Sequence, residues 1–98
     1  MTIDQIREGE VLTLRVGGRL DTMTAPELEA VVKDLPEDIS KLVIDIEALD
    51  YMSSSGLRVL LLAHRAMDGR GELEIANVND YIMEIFDVTG FSGILTIV

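Results

Sequence analysis

Residues Leu42 to Met67 read LVIDIEALDYMSSSGLRVLLLAHRAM. An apolar, β-branched run is followed by a short acidic turn, three consecutive serines, a glycine and an amphipathic stretch. Leu42 to Ile46 has the composition of a central strand with both faces covered. Beyond the serines, Leu57, Leu60, Leu61 and His64 fall on one helical stripe, and Arg58, Leu62 and Arg65 fall on another. The order predicts a helix starting near Ser54. Ser53, Ser54 and Ser55 then lie at its N-terminus, where free amides and the helix dipole favour negative charge.

Working outward, the N-terminal side predicts a hairpin. Thr2 to Arg7 forms one strand, Glu8-Gly9 the turn and Val11 to Val16 a second strand. Alternation of Val11, Thr13 and Arg15 with Leu12, Leu14 and Val16 marks a sheet with one buried face. Gly17-Gly18 permits a bulge or bend before Arg19-Leu20-Asp21. A helix follows, with Thr24 as N-cap, Glu27 completing a capping box and Pro26 in the first turn. Its stripe is Leu28, Val31, Val32 and Leu35, and Pro36 stops it. On the C-terminal side, Gly69 and Gly71 lead into a strand at Leu73 to Ala76. Asn79 caps a third helix carrying Ile82, Ile85 and Phe86, which ends near Gly90, and Ile94 to Val98 is the last strand. Alternating strands and helices predict one α/β domain over residues 1–98, a mixed β-sheet packed by helices on one main face.

Composition narrows the function classes. With 48% apolar residues and only 4% aromatics, Leu, Ile and Val carry the packing. The chain has no Cys, which excludes disulfides, thiolate zinc sites and thiol catalysis. A formal charge of −10 repels nucleic acid and anionic membranes and suits a partner with a basic patch. MTIDQIREGE lacks the pattern of a signal peptide, and no apolar stretch approaches a membrane span of ~20 residues. These features predict a soluble cytoplasmic protein with no direct contact to nucleic acid or membrane.

The serine cluster has two readings. Ser is a preferred N-cap, so a serine-rich helix start needs no function beyond capping. A hydroxyl closely following a buried strand also stands where open α/β sheets place ligand sites, and it can receive a phosphoryl group. Gly56 offers close backbone approach, and Tyr51 and Met52 offer adaptable surface. Enzyme readings are weaker. Ser54-Ser55-Gly56 lacks the glycine of a nucleophile elbow, and no phosphate-binding glycine loop is present. His64 lies more than two turns from Ser55, too far at ~1.5 Å rise per residue for a direct hydrogen bond. It reads as a boundary residue of the core. Asp45 fits a role bonding turn amides, and Glu47 faces solvent. Asp21 and Asp50 both lie where strands lead towards helices, but their spacing is not a metal motif. No catalytic residue, metal or cofactor is predicted.

LDYMSSSGLRVLLLAHRAM resembles the phosphorylation segment of STAS domains, specifically the single-domain bacterial anti-sigma factor antagonists. GRLDTMTAPELE is similar to the segment entering their first helix. NVNDYIMEIFDVTGFSGILTIV is similar to their C-terminal helix, Thr-Gly turn and last strand. The resemblance covers nearly the whole chain, in order.

It implies a non-enzymatic, STAS-like fold acting as a switch. Such an antagonist, unphosphorylated, binds an anti-sigma factor that is also a serine kinase, and so frees a sigma factor for transcription. The kinase uses ATP to phosphorylate a hydroxyl residue beside the motif glycine, and a PP2C-like phosphatase reverses the modification. Carried onto this sequence, Ser55 directly precedes Gly56 and is the first candidate acceptor, with Ser54 second. Ser53 stands where the family often has Asp. The partner is expected around Asp21, Thr22 and Met23, around Met52, Ser53, Ser54, Ser55 and Gly56, and at Arg58. The alternative within the resemblance is a phosphorylation-independent scaffold or accessory subunit of a transporter or stress-signalling complex. A small hydrolase or nucleotide-binding enzyme is the rival from another class.

Overall fold

The computed structural model describes residues 1–98. Strands β1 (Thr2–Glu8) and β2 (Val11–Leu20) are followed by helix α1 (Ala25–Lys33). Next come β3 (Lys41–Asp45), β4 (Leu49–Met52), α2 (Ser54–Met67) and β5 (Glu72–Ala76). Helix α3 (Asp80–Thr89), a short 3-10 turn at Phe91–Gly93 and β6 (Thr96–Ile97) complete the chain. The sheet runs β1-β2-β3-β5-β6, with β4 paired to β2. Only β1 is antiparallel to its neighbour, so the predicted mixed sheet with a hairpin edge is present.

Period-2 alternation decides which side is buried. Leu12, Leu14, Leu42, Ile44, Leu73 and Ile75 are buried on one face. Together with Leu28 and Val32 of α1, Leu60 and Ala63 of α2, and Ile82 and Phe86 of α3, they belong to a single core of 23 apolar residues. Complete burial of a Leu or Phe side chain contributes about 1.5–3 kcal/mol, so this face supplies most of the driving force. The expectation that β3 is covered on both faces needs correction. Lys41, Val43 and Asp45 alternate with the core residues and remain half-exposed, because all three helices contribute to the one core and the opposite side carries charged partners. Lys41, for instance, pairs with Glu74 at 3.1 Å.

The stretch read as a short acidic turn is in part a strand. β3 lies beside Val11–Arg15 of β2, and β4 takes its place beside Gly18–Leu20. The register shifts at Gly18/Arg19, where the predicted bend occurs. Gly18 adopts φ +88°, a left-handed conformation that glycine takes without a Cβ penalty. Its N–H donates to the Ala48 carbonyl at 2.9 Å, which carries β2 past the β3–β4 connection. This bend brings the end of β2 and the end of β4 side by side, with Leu20 opposite Met52. Both strands lead into helices, so the starts of α1 and α2 share one end of the sheet. At the C-terminus, the 3-10 turn takes up the residues ahead of Ile94, and Leu95 N–H still donates to Phe91 C=O at 2.8 Å. The last strand is therefore shorter than its apolar run suggested.

Candidate functional site

Asp21 builds the first half of the site. One carboxylate oxygen accepts from the amides of Met23 (3.0 Å) and Thr24 (3.1 Å), and its backbone carbonyl accepts from Ala25 N–H at 2.8 Å. The Thr24 hydroxyl turns backwards, accepting from Asp21 N–H at 2.9 Å and donating to the Arg19 carbonyl at 2.7 Å. The predicted capping box at Thr24 and Glu27 is therefore not formed. Thr24 occupies the N-cap position without capping through its side chain, because Asp21 already gathers the loop. Burial pushes the Asp21 carboxyl up, but hydrogen bonds from Thr24 and Met23, with the nearby Arg19 charge, outweigh it and hold the group below its ordinary range. Arg19 lies 4.2 Å from the centre of the Tyr51 ring and 3.7 Å from Asp21. The loop is fixed at its base while Thr22 is exposed and Met23 is 85% exposed at its tip.

The three serines begin the second half, and none of them caps α2. Ser53 has the extended backbone of an N-cap, yet its side chain makes no cap hydrogen bond. Its Oγ is buried without a partner. Ser54 is exposed, and its hydroxyl has no partner within the chain. Ser55 Oγ meets Thr22 Oγ1 at 3.2 Å, a contact between residues 33 positions apart. The first backbone bond of the helix runs from Leu57 N–H to Ser53 C=O at 3.1 Å. The amides of Ser54, Ser55 and Gly56 precede it, as at any helix start.

Two predicted contact residues face the wrong way. Met52 is buried, packed at the end of β4 against the core, so it offers no surface to a partner. Gly56 is buried too. A Cβ there would come within 2.8–2.9 Å of Leu20 and Met52 side-chain atoms. The glycine lets α2 seat closely on β2 and β4; it does not open the helix to an incoming backbone. Tyr51 is half-buried beneath Arg19 rather than free surface.

Arg58 is exposed, but its guanidinium is shared with Glu29 of α1, which also holds Lys33 at 3.1 Å. Hydrogen bonding from Lys33 and the charge of Arg58 keep the Glu29 carboxyl below its ordinary range despite partial burial. Sequence reasoning missed this tie between α1 and α2. It also missed the Thr22–Ser55 contact, since both depend on which helices and strands become neighbours. Asp45 accepts from Glu47 N–H at 3.0 Å and from Asn77 at 3.1 Å, the turn-stabilising role expected of it. Asp50 is exposed, and no group of three or more Asp, Glu or His side chains is placed to hold a metal ion. The largest hollow, about 440 Å³, lies on the open sheet face between Asp4, Arg15 and Asp45, and the serines line no cavity. The serine end is polar surface with one protruding methionine, Met23. No helix is long and apolar enough to cross a membrane.

Known proteins match this chain along nearly its whole length. The STAS domain model matches residues 2–98. The anti-sigma-B factor antagonist of Staphylococcus aureus is 30% identical over 97 residues, covering 97% of this chain and 90% of its own length. An anti-sigma factor antagonist from Mycobacterium paratuberculosis superposes with a TM-score of 0.84 at 26% identity, over 98% of this chain and 83% of that one. The Bacillus cell-fate determinant SpoIIAA in its phosphorylated form has the same fold, with a TM-score of 0.69 at 16% identity over 99% and 91% of the two chains. The chain belongs to the STAS domain family, and its relatives there include bacterial anti-sigma factor antagonists.

Proposed function

We propose that this protein is an anti-sigma factor antagonist that switches partners through Ser55. Unmodified, it docks an anti-sigma factor serine kinase on the surface formed by Asp21, Thr22 and Met23, by Ser53 to Ser55, and by Arg58. Transfer of a phosphoryl group to Ser55 ends that contact, and a PP2C-like phosphatase restores it. The protein acts by binding, and the chemistry belongs to the two enzymes that modify it.

One observation carries this reading: α2 starts with three hydroxyls that do no capping. Had they been caps, the simpler structural explanation would suffice. Ser55 instead points across to the loop at Thr22, on the surface and beside the exposed Met23. A phosphoserine carries about −1.5 to −2 charges, and a helix N-terminus tolerates negative charge. The domain thus stays folded when modified, a reading supported by the like fold of SpoIIAA in its phosphorylated form. A partner packed over Ser55 meets the same charge in a desolvated contact, where truncating or mismatching a buried charged pair costs about 2–5 kcal/mol.

Incubation with the anti-sigma factor serine kinase and ATP, followed by site-resolved mass spectrometry, tests the proposal. One phosphoryl group on Ser55 is expected, and Ser55→Ala is expected to lose that label while remaining folded. Absence of label on every serine would favour a scaffold that works without modification.

A further inference from the structure

We propose that Thr22 is a positioning residue that selects Ser55 over its neighbours as the phosphoacceptor. The inference rests on the reading above that a serine of this segment is modified, and it assigns the choice among three adjacent hydroxyls to a residue outside the motif. Their surroundings make them inequivalent. Ser53 Oγ is buried and out of reach of a kinase. Ser54 is exposed but untethered, so its hydroxyl samples several rotamers. Ser55 alone has a fixed neighbour, Thr22 Oγ1 at 3.2 Å.

The loop that carries Thr22 is held on either side of it. The Asp21 carboxylate gathers the amides of Met23 and Thr24, and Thr24 ties the turn back to the Arg19 carbonyl. A rigid base thus presents one hydroxyl to the start of α2. A hydroxyl has one donor and two acceptor sites. When Thr22 donates, it occupies one lone pair of Ser55 Oγ and leaves the other free for attack, with the Ser55 proton pointing away. In transfer, Ser55 Oγ forms a bond to the γ-phosphorus of ATP and the bond to the bridging oxygen of ADP breaks. The hydroxyl proton passes to the base of the kinase. Thr22 contributes orientation only, which is where much of the rate of phosphoryl transfer originates.

The experiment compares the wild type, Thr22→Val and Thr22→Ser, using the anti-sigma factor serine kinase that labels the wild-type chain, with ATP. Rates are taken at saturating substrate protein, so docking affinity is not what they report. Thr22→Val keeps the shape and removes the hydroxyl. It is expected to keep the wild-type melting temperature, lose Ser55 labelling by about three- to tenfold, the range of one net hydrogen bond, and raise the share on Ser54. Thr22→Ser restores both the rate and the Ser55 preference. Wild-type labelling of Ser55 in Thr22→Val, or no rescue by Thr22→Ser, would overturn the inference and leave the switch standing. Wild-type label on Ser54 would also overturn it. An unlabelled wild type would remove the phosphorylation reading and this inference together.

Discussion

The starts of α2 and α3 contain the same class of short polar residue and use it in opposite ways. At α3, Asn79 accepts from Ile82 N–H at 2.8 Å and donates to the Leu49 carbonyl at 3.3 Å, so both ends of its amide hold structure. At α2, three serines leave the helix uncapped by any side chain. The α1 start is a third variant: no side chain caps it, and the Asp21 carboxylate gathers the amides of the turn that precedes it. Capping chemistry in a sequence is therefore not evidence of a cap. A helix start that contains good capping residues and does not spend them keeps hydroxyls available for something else.

The contrast is most strongly tested inside the α2 seat. Met52→Asp places an unpaired charge beneath the serines and is expected to destabilise the fold by about 3–5 kcal/mol, read as a lower urea midpoint. An unchanged midpoint with weakened partner binding would return Met52 to the surface. Gly56→Val forces its side chain into Leu20 and Met52, with an expected loss of about 1–3 kcal/mol. Wild-type stability for that variant would show that the close seat is not required.

Caps give the next effect in size. Asn79→Ala should cost about 1 kcal/mol in chemical denaturation. Ser54→Ala should stay within about 0.5 kcal/mol, and Ser53→Ala should be neutral or slightly stabilising because it removes a buried unpaired hydroxyl. Equal losses at Asn79 and Ser53 would erase the comparison. The smallest effect is acid loosening of the Asp21 turn. The fold lowers this carboxyl, so its contribution is complete above the usual aspartate value of about 3.9 and fades as pH falls through the folded value. Glu29, hydrogen-bonded by Lys33, and Asp38, hydrogen-bonded by Arg7, are lowered too, so acidification weakens their contributions as well. A local readout is needed: the Met23 and Thr24 amide resonances should move on acidification in the wild type and stay still in Asp21→Asn.

Local signals were legible in the sequence and long-range ones were not. The Asn79 cap, the Gly17-Gly18 bend and the alternation of β2 each involve only neighbouring residues, and each is present. Thr24 misled because Asp21 and Thr24, three apart, both fit an N-terminal cap, and only the path of β2 decides between them. β4 is four residues with Asp50 and Tyr51 outside the core, so it carries too little periodicity to separate from a turn. Its partner is the second half of β2, 31 positions away at Gly18 and Leu49. Met52 lay beside the serines in sequence and looked like surface, yet the end of β4 turns it inward. On α2 the buried stripe is Gly56, Leu57, Val59, Leu60, Ala63 and Met67, which leaves Leu61 and His64 at the boundary. The candidate serines were found from the motif; the Thr22 contact that distinguishes them required the fold.

The central claim is that the α2 start is a switch and not a cap, and one binding measurement addresses it directly. Phosphoserine is installed at position 55 during synthesis, and calorimetry compares this protein with the unmodified chain for affinity towards the anti-sigma factor. The account predicts that both forms are equally folded and that the phosphorylated one binds about 30-fold more weakly or worse, the equivalent of at least about 2 kcal/mol. Equal affinity for the two folded forms would contradict it.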